Sequence, residues 1–124
     1  VTTNECNAAD AFKQAYINAR KEDLQIIDSP VGMPGRAIKG NFIKRVEAGL
    51  EILKTCPVHC IKTCDYTKKP YCIMKASSSA ARGNMEKGYA FAGINAHLAE
   101  KISSVREIIS NLKLEFSIAQ KAVL

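Results

Sequence analysis

The amino-acid sequence predicts a mainly α-helical chain with at most one or two short strands. Apolar residues recur at three- and four-residue steps in four stretches, whereas only one short run is β-prone. Hydrophobic residues make up 47% of the chain and charged residues 24%, which is typical of a soluble globular protein and excludes a disordered or fibrous chain. A chain of 124 residues has room for one domain.

The first predicted elements are a helix over residues 8–22 and a short strand after it. Asn7 is the expected helix cap, because its side chain can accept a hydrogen bond from the first turn. The periodic apolar residues of this helix are Ala8, Ala11, Phe12, Ala15, Tyr16 and Ala19. The β-prone run at 24–27 stops at Ser29-Pro30, which predicts a single strand.

A shaped loop and a second helix are predicted next. Residues 30–36 contain two prolines, which fix φ, and two glycines, which permit positive φ. We therefore expect a loop with a defined path but without regular structure. An amphipathic helix is predicted over residues 37–54, with its apolar face formed by Ile38, Phe42, Val46, Leu50 and Leu53.

The second half of the chain begins with an irregular connection over residues 56–72. A helix follows from Ile73 and ends before Gly83, whereas residues 88–93 are small, apolar and open to more than one interpretation. In the last predicted helix, Ser104 and Glu107 form a capping box. One apolar stripe continues from there and requires a cover; it consists of Val105, Ile108, Ile109, Leu112, Phe116, Ala119 and Val123.

Four cysteines in the irregular connection form the densest local cluster. Cys56, Cys60, Cys64 and Cys72 have the spacing C-x3-C-x3-C-x7-C. Four thiolates can bind zinc in a tetrahedral site or hold an iron–sulfur cluster, and His59 is a further candidate ligand. The spacing differs from those of zinc ribbons and ferredoxins. A disulfide or reactive-thiol role, and packing of the thiols as small apolar groups, therefore stay open.

The net charge of +6 is concentrated in the middle of the chain. Residues 36–87 carry eleven basic and four acidic side chains. Because no aromatic residues alternate with these bases, a solvated face is favoured over a nucleic-acid interface. Neither His59 nor His97 lies in a pattern that supplies a nucleophile and an orienting carboxylate, so both are interpreted as surface or packing residues. Arg36 lies at the exit of the shaped loop, where it would clamp an anion or brace the loop.

The sequence features predict a cytoplasmic protein. No apolar run approaches the roughly 20 residues of a membrane span, and the first twenty residues lack the pattern of a signal peptide. The odd number of cysteines does not fit a secreted disulfide framework. The first residue is Val rather than Met, so we expect a processed product or a piece of a longer protein.

Several stretches of the sequence together resemble a known family. In order along the chain they are Glu5-Cys6-Asn7-Ala8 with Lys13-Gln14-Ala15-Tyr16-Ile17, Ser29-Pro30-Val31-Gly32-Met33-Pro34-Gly35-Arg36-Ala37-Ile38, Tyr71-Cys72-Ile73, Phe91-Ala92-Gly93-Ile94-Asn95-Ala96, and Lys101-Ile102-Ser103-Ser104-Val105. This ordered set resembles the carboxy-terminal part of the nitronate monooxygenase family, formerly called 2-nitropropane dioxygenases. It is also similar to the related flavoenzyme enoyl-acyl-carrier-protein reductase II.

The resemblance implies the fold of an FMN-binding TIM barrel with a small helical domain after its last strand. Residues 1–102 are then similar to that small, lid-type domain, and residues 103–124 to the helix that closes the barrel. The barrel itself is absent from this chain, because a TIM barrel needs about 250 residues and eight strands. We expect the parent protein to be an FMN-dependent oxidoreductase that oxidises alkyl nitronates with oxygen. The isolated chain is expected to be inactive and to bind no FMN.

The resemblance also implies which residues lie near the flavin. Gly32, Met33, Pro34, Gly35 and Arg36 would form a lid over a small anionic nitronate, and Gly93 and Asn95 would contact the cofactor. The alternative is that both segments only hold the two domains together. The expected partners are the N-terminal barrel of the same protein or, through the stripe of residues 105–123, a second copy of the chain. A different functional class, a cysteine-rich metal- or cluster-binding module with a basic face, stays open, as does an enoyl reductase parent.

Overall fold

The computed structural model describes residues 1–50, 55–56, 58–62 and 64–123. The helices and strands are α1 (Asp10–Ile17), β1 (Leu24–Asp28), β2 (Pro34–Ile38), α2 (Asn41–Glu47), α3 (Ile73–Ala81) and α4 (Val105–Val123). Short 3₁₀ turns lie at Lys21–Asp23, Tyr66–Lys68, Met85–Lys87 and Ala96–Leu98. The prediction of a mainly helical chain with at most one or two short strands is confirmed.

Helix α1 is shorter than the predicted helix over residues 8–22. The residue before its first turn is Ala9, whose N–H donates to the carbonyl of Ala81 at 2.9 Å, and no side chain caps the helix. The expectation that Asn7 caps it is therefore wrong, because a backbone contact with the end of α3 fixes its start. A 3₁₀ turn replaces the predicted last turn, and there the Asp23 carboxylate accepts from the Arg20 N–H at 2.9 Å.

The strand predicted at 24–27 is confirmed as β1, but the neighbouring loop prediction is partly wrong. Residues 34–38 form β2, which pairs antiparallel with β1 from Leu24↔Ile38 to Asp28↔Pro34. Only the turn between the strands is irregular, and there Gly32 adopts a φ of +84°. Pro34 is tolerated because it is the first residue of its strand. Pairing with β1 therefore overrides the local preference of a Pro/Gly segment for a loop.

The β1–β2 hairpin lies between two hydrophobic clusters, because successive side chains of a strand point to opposite faces. On one face, Leu24 and Ile38 pack with Phe12 and Tyr16 of α1. On the other face the cluster contains Ile27, Ala37, Phe42, Ile43, Tyr71, Ala76 and Tyr89, from the hairpin, α2, α3 and the segment after α3. The hairpin is thus covered by α1 on one side and by α2 and α3 on the other.

Residues 88–92, which the sequence left open, run along the free edge of β2. The Ile38 N–H donates to the Ala90 carbonyl and the Ala92 N–H to the Arg36 carbonyl, both at 3.0 Å. This segment enters the sheet edge past α3, where a Cβ on Gly88 would lie only 1.9 Å from the Ala76 carbonyl oxygen. A glycine is needed at 88 because two backbones meet there, not because of its φ.

Helix α2 begins later than the predicted helix over 37–54, because residues 37 and 38 belong to β2. It ends at Glu47 and is followed by Gly49 with a φ of +70°. Phe42 and Ile43 are buried, whereas Leu50, placed on the same face by the sequence prediction, is 70% exposed. The rest of that prediction, residues 51–54 with Leu53, lies outside the described residues, as do positions 57, 63 and 124.

Helix α3 agrees with the prediction, since it starts at Ile73, buries Ala76 and Ala80, and ends before Gly83, which has a φ of +93°. Helix α4 also agrees, and Ser104 Oγ accepts from the Glu107 N–H at 3.1 Å, which is one half of the predicted capping box. From Ile109 to Ala122 every residue of α4 is exposed. Among the described residues, none of the helices has the length and apolar character that crossing a bilayer requires.

The first residues of the chain lie beside the start of α4. Thr3 forms a parallel bridge with Ser103, and the Asn4 N–H donates to the Ser103 carbonyl at 3.0 Å. The Glu5 carboxylate accepts from the Val105 N–H at 3.0 and 3.1 Å. The two ends of the segment that packs around the hairpin therefore lie side by side. The predicted boundary between residues 102 and 103 stays a prediction.

Candidate functional site

The candidate site is the surface formed by the hairpin turn, the first half of β2 and residues 91–95, which we call the lid surface. At the turn, the Gly32 N–H donates to the Ser29 carbonyl at 3.0 Å and the Val31 N–H to Ser29 Oγ at 3.4 Å. Ser29 is buried, whereas Gly32, Met33 and Pro34 are exposed. The turn is thus fixed by hydrogen bonds to the buried Ser29, and its other residues from Gly32 to Pro34 are open to solvent.

Gly35 and Phe91 join the two segments of the lid surface. A Cβ on Gly35 would lie 2.5 Å from Cε1 of Phe91, so the ring covers the glycine directly. Ala37 and Phe91 form an antiparallel bridge, and the Tyr89 and Phe91 rings are 5.0 Å apart in an edge-to-face arrangement. Phe91 is still 40% exposed. The structure therefore brings Gly35, one of the predicted lid residues, into contact with Phe91, which lies two positions before the predicted flavin-contact residue Gly93.

Tyr16 of α1 fixes the backbone of this segment from the other side. Its hydroxyl donates to the Phe91 carbonyl at 2.6 Å. Burial, and secondarily the nearby Cys6, raises the pKa of Tyr16, so this hydroxyl keeps its proton and acts as a donor at neutral pH. Phe91 is consequently held by the Tyr89 ring of its own segment, by a bridge to β2 and by a hydrogen bond from α1.

Gly93 and Asn95 lie on the exposed turn that follows Phe91. Nothing lies within 4 Å of a Cβ built on Gly93, and its carbonyl accepts from the Ala96 N–H at 3.1 Å. Asn95 precedes the 3₁₀ turn at 96–98, and its side chain does not cap that turn. His97 Nδ1 lies 3.1 Å from the Ile94 carbonyl oxygen, which agrees with a packing role for this histidine. The backbone at 93 and the amide at 95 are therefore accessible.

Arg36 lies in β2, opposite Ile26, and not at a helix start as the sequence predicted. It is half-buried, and within the part of the chain that the structure describes its guanidinium makes no ion pair or hydrogen bond. Whether Arg36 braces the loop or clamps an anion stays a prediction.

The cysteine stretch lies against the same turn. Cys56, Cys60, Cys64 and Cys72 line one narrow cleft with His59, and Pro30 and Val31 of the hairpin turn form part of its wall. All five cysteines of the chain are free thiols. However, no three histidine, cysteine or acidic side chains of the described residues are arranged to hold a metal ion. The structure thus gathers the predicted ligands but lends the zinc or cluster prediction no support.

Sequence reasoning missed Phe91 of the lid surface and also Tyr16 of α1, which donates a hydrogen bond to it. The signal for Phe91 was present, because Tyr89 and Phe91 alternate with Ala90 and Ala92 at the period of two that is typical of a strand. Tyr16 lies on the apolar face of α1, where its aromatic ring packs in the core. Its hydroxyl contact spans 75 positions of sequence and has no local signal.

Several solved structures share this fold, among them two of FabK. The structure of FabK from Thermotoga maritima matches with a TM-score of 0.74 and 18% identity. The match covers 99% of this chain and 36% of the FabK chain. A point variant of the same FabK matches with a TM-score of 0.70 and 17% identity, over 99% of this chain and 32% of the variant's chain. At this level of identity the likeness shows the fold alone. The chain spans about a third of the length of these structures.

The sequence comparisons agree with the fold. None of the curated proteins compared with this sequence is significantly similar to it. Residues 1–115, which include the whole lid surface and the first half of α4, match the nitronate monooxygenase family. This match confirms the resemblance carried by the ordered motifs, and the chain therefore belongs to the nitronate monooxygenase family.

Proposed function

We propose that this chain is the lid portion of an FMN-dependent oxidoreductase that oxidises alkyl nitronates with oxygen. The family match over residues 1–115 supports the flavoenzyme class. The observation that carries the proposal is the contact between Gly35 and Phe91, which unites the two segments expected near the flavin into one surface. A fixed surface of this kind excludes water from the reacting groups and holds a small substrate in place.

The charge on the lid surface fits an anionic substrate. A nitronate carries a negative charge, and the Arg36 guanidinium has no carboxylate partner among the described residues. A guanidinium can donate two parallel hydrogen bonds to a planar anion with two oxygens. In the proposed function, Arg36 therefore binds and orients the nitronate oxygens, and the neighbouring turn limits solvent access.

The residues at 93–95 fit contact with one edge of a flavin ring. Space is open around Gly93, and the Asn95 side chain is exposed, with no hydrogen bond to any of the described residues. An accessible backbone and an unpaired side-chain amide can both form hydrogen bonds to the polar edge of a flavin ring. FMN, when bound, supplies the electron acceptor for the oxidation. The 124 residues themselves are proposed to bind no FMN tightly, since they would touch only one edge of it.

Helix α4 is proposed to pack on the N-terminal barrel of the same protein. Its apolar side chains are exposed, among them Leu112 at 55% and Phe116 at 69%. Thr3 and Ser103 form a bridge, so the first residues of the chain lie next to the start of α4, which is compatible with two adjacent connections to such a barrel. Self-association through α4 is the alternative cover for the isolated chain. Sedimentation of the 124 residues at increasing concentration measures it directly.

The test uses the longer gene product that contains this chain. We expect it to purify with one FMN per chain and to consume oxygen when an alkyl nitronate is added. Arg36→Met should raise KM for the nitronate about tenfold, with FMN content unchanged. Arg82→Met, an exposed arginine at the end of α3, is the matched control and should leave KM unchanged.

The same preparation tests the enoyl reductase alternative, which the FabK fold favours. Reduction of an enoyl thioester with NADH, in the absence of nitronate oxidation, would replace the proposed reaction with that of the alternative. A stoichiometric flavin spectrum from the 124 residues alone would contradict the assignment of this chain as a lid without its own cofactor site.

A further inference from the structure

A second cavity lies away from the residues of the lid surface, between α2, α3 and the 3₁₀ turn at Met85–Lys87. Its volume is about 380 Å³, which is within the range of small-molecule sites. The residues that line it come from these three elements and from residues 70–72, which precede α3. Three of them, Phe42, Tyr71 and Ala76, belong to the hydrophobic core, so the core sets part of its shape. Neither the family match nor the proposed function assigns a role to this cavity.

The rim of the cavity is positively charged. Lys75 and Lys87 are exposed, and neither makes an ion pair within the described residues. The third cation, Arg45, is held by Glu86, with Nη1 at 3.1 Å from Oε2 and Nη2 donating to the Glu86 carbonyl. Three cations and one acid leave a net positive charge at the rim, and two of these cations are available to a ligand.

The single acid at the rim already has its partners. Glu86 Oε1 accepts from Asn41 Nδ2 at 2.8 Å, and Oε2 is bonded to Arg45. The hydrogen bonds from Asn41 and then from Arg45 hold the pKa of Glu86 below its usual range, so it is ionised at neutral pH. Glu86 therefore positions Arg45 at the rim, and its charge is locally compensated.

The floor of the cavity is apolar. It includes Phe42, Tyr71 and Ala76, which are 4%, 5% and 2% exposed. Ser79, one turn along α3 from Lys75, adds a hydroxyl without a hydrogen bond to any described residue. An apolar floor with a cationic rim suits a ligand that has an apolar body and one anionic group.

A neighbouring cavity shows that this combination is not general on the surface. That cavity, of about 410 Å³, is lined by Asp28 and Glu47 as well as by Lys68 and Lys69. Charges of both signs balance there, and Lys68 already pairs with Asp65 at 3.0 Å. Of these two cavities, only the one beside α3 is therefore expected to prefer anions.

We propose that the cavity between α2, α3 and residues 86–87 binds a small phosphate monoester with an apolar body. Lys75 and Lys87 hold the phosphate oxygens through charge-assisted hydrogen bonds, and Ser79 donates a further one. The apolar body lies on Phe42 and Tyr71. This site is formed by the 124 residues alone and needs no flavin, so it stands or fails independently of the proposed oxidoreductase activity.

The experiment is a titration of the isolated 124-residue chain with phenyl phosphate, followed by the amide NMR signals at low salt. We expect saturable binding with a Kd of about 0.1–1 mM, with the largest shifts at Lys75, Ser79 and Lys87. Inorganic phosphate should bind about tenfold more weakly, because it lacks the apolar body. Lys75→Gln with Lys87→Gln should weaken phenyl phosphate binding at least tenfold.

The matched control is Lys113→Gln with Lys121→Gln on α4, which removes the same charge from exposed positions far along the chain. Unchanged affinity in this control, together with the loss in the first pair, supports the site. An equal loss of affinity in both double variants would mean that phenyl phosphate is attracted by the general positive charge of the protein, and it would overturn the proposed site. Equal affinity for phenyl phosphate and inorganic phosphate, or no saturation up to about 10 mM, would overturn the proposal.

Discussion

Helices α2 and α4 carry the same kind of apolar stripe, yet only one of the stripes is buried. On α2, Phe42 and Ile43 are 4% and 2% exposed, packed between the hairpin and α3. On α4, Ile109 and Phe116 are 47% and 69% exposed. Both patterns have helical spacing, and α4 has the longer stripe. An amphipathic pattern therefore specifies that a face must be covered but not whether the cover lies in the same chain.

The two helices also differ in the contacts that hold them to the rest of the chain. α2 is held by apolar contacts to the hairpin and by the hydrogen bond of Asn41 to Glu86. The polar contacts of α4 with preceding residues lie near its start, among the described residues, and come from Glu5, Lys101 and Ser104. A 19-residue helix without a packed face is close to the length at which isolated helices are marginal in water. We therefore expect the packed region to set the stability of the isolated chain, and α4 to add little to it.

The largest effect is expected at Gly88 in the packed region. In Gly88→Ala the new Cβ would lie 1.9 Å from the Ala76 carbonyl oxygen and 3.0 Å from the Ala80 nitrogen, both backbone atoms of α3. Neither can move without shifting the helix, so the free energy of unfolding should fall by at least about 3 kcal/mol. Chemical denaturation measures it. Gly93→Ala, which meets open space, is the control, and a comparable loss there would contradict the steric explanation.

The next largest effect compares the two stripes directly. Ile43→Ala should destabilise the isolated chain by about 2–5 kcal/mol, because it leaves a cavity in the core. Ile118→Ala, at a position 59% exposed, should change the free energy of unfolding by less than about 0.5 kcal/mol. In the longer protein, Ile118→Ala should become destabilising if a barrel covers α4. A large loss in the isolated chain would show that α4 is already covered there.

Local pattern was enough to predict most of the elements. β1, α3 and α4 lie where spacing, caps and breakers placed them, because these signals act over a few residues. β2 was missed because Pro34 and Gly35 favour a loop locally, whereas two neighbouring segments supply hydrogen bonds along its backbone. The start of α1 was missed for the same reason, since the contact between Ala9 and Ala81 crosses most of the chain.

The candidate site was predictable only in part. The family resemblance pointed to Gly32–Arg36 and to Gly93 with Asn95, but nothing in the spacing of either motif indicates that Phe91 lies on Gly35. That contact depends on how residues 90–92 align with β2, which is a long-range pairing. The cavity beside α3 has no sequence motif at all. It arises from three segments whose charges look like ordinary solvated residues when read along the chain.

A smaller effect on the free energy of unfolding is expected at alkaline pH, and it arises from two tyrosines of the packed region. Burial raises the pKa of Tyr89 and of Tyr71 above the ordinary value of 10.0, and the hydrogen bond between their hydroxyls, 3.1 Å long, raises that of Tyr89 further. The unfolded chain loses these protons above pH 10, while the folded chain keeps them. Stability should therefore be complete below about pH 10 and fall as pH rises through the folded values.

Tyr89→Phe tests this pH dependence. Each such group contributes at most about 1.4 kcal/mol per pH unit above its unfolded pKa, so the variant should show a shallower loss of stability between pH 10 and 11. Urea denaturation across that range measures the slope. Tyr66→Phe, outside the two core clusters, is the control for the loss of a tyrosine hydroxyl. Equal slopes in the wild type and Tyr89→Phe would contradict the assignment.

The smallest effect is expected at the junction of the two regions. Glu5 caps α4 by accepting from the Val105 N–H with both carboxylate oxygens, at 3.0 and 3.1 Å. Its negative charge also lies at the positive end of the helix dipole. Glu5→Gln should weaken this cap by about 0.5–1 kcal/mol, and the loss should be confined to α4. Faster amide hydrogen exchange in the first turns of α4, with unchanged protection at Ile43, is the expected result.

Glu100→Gln removes the same charge from a nearby exposed position without a bond to α4, and it should leave this exchange unchanged. If Glu5→Gln also accelerated exchange in α2 and α3, α4 would be coupled to the core and the two regions would unfold together. Confinement of the effect to α4 would mean that the core folds independently and presents α4 from a fixed point. A helix presented in this way keeps its apolar face available for the partner that covers it.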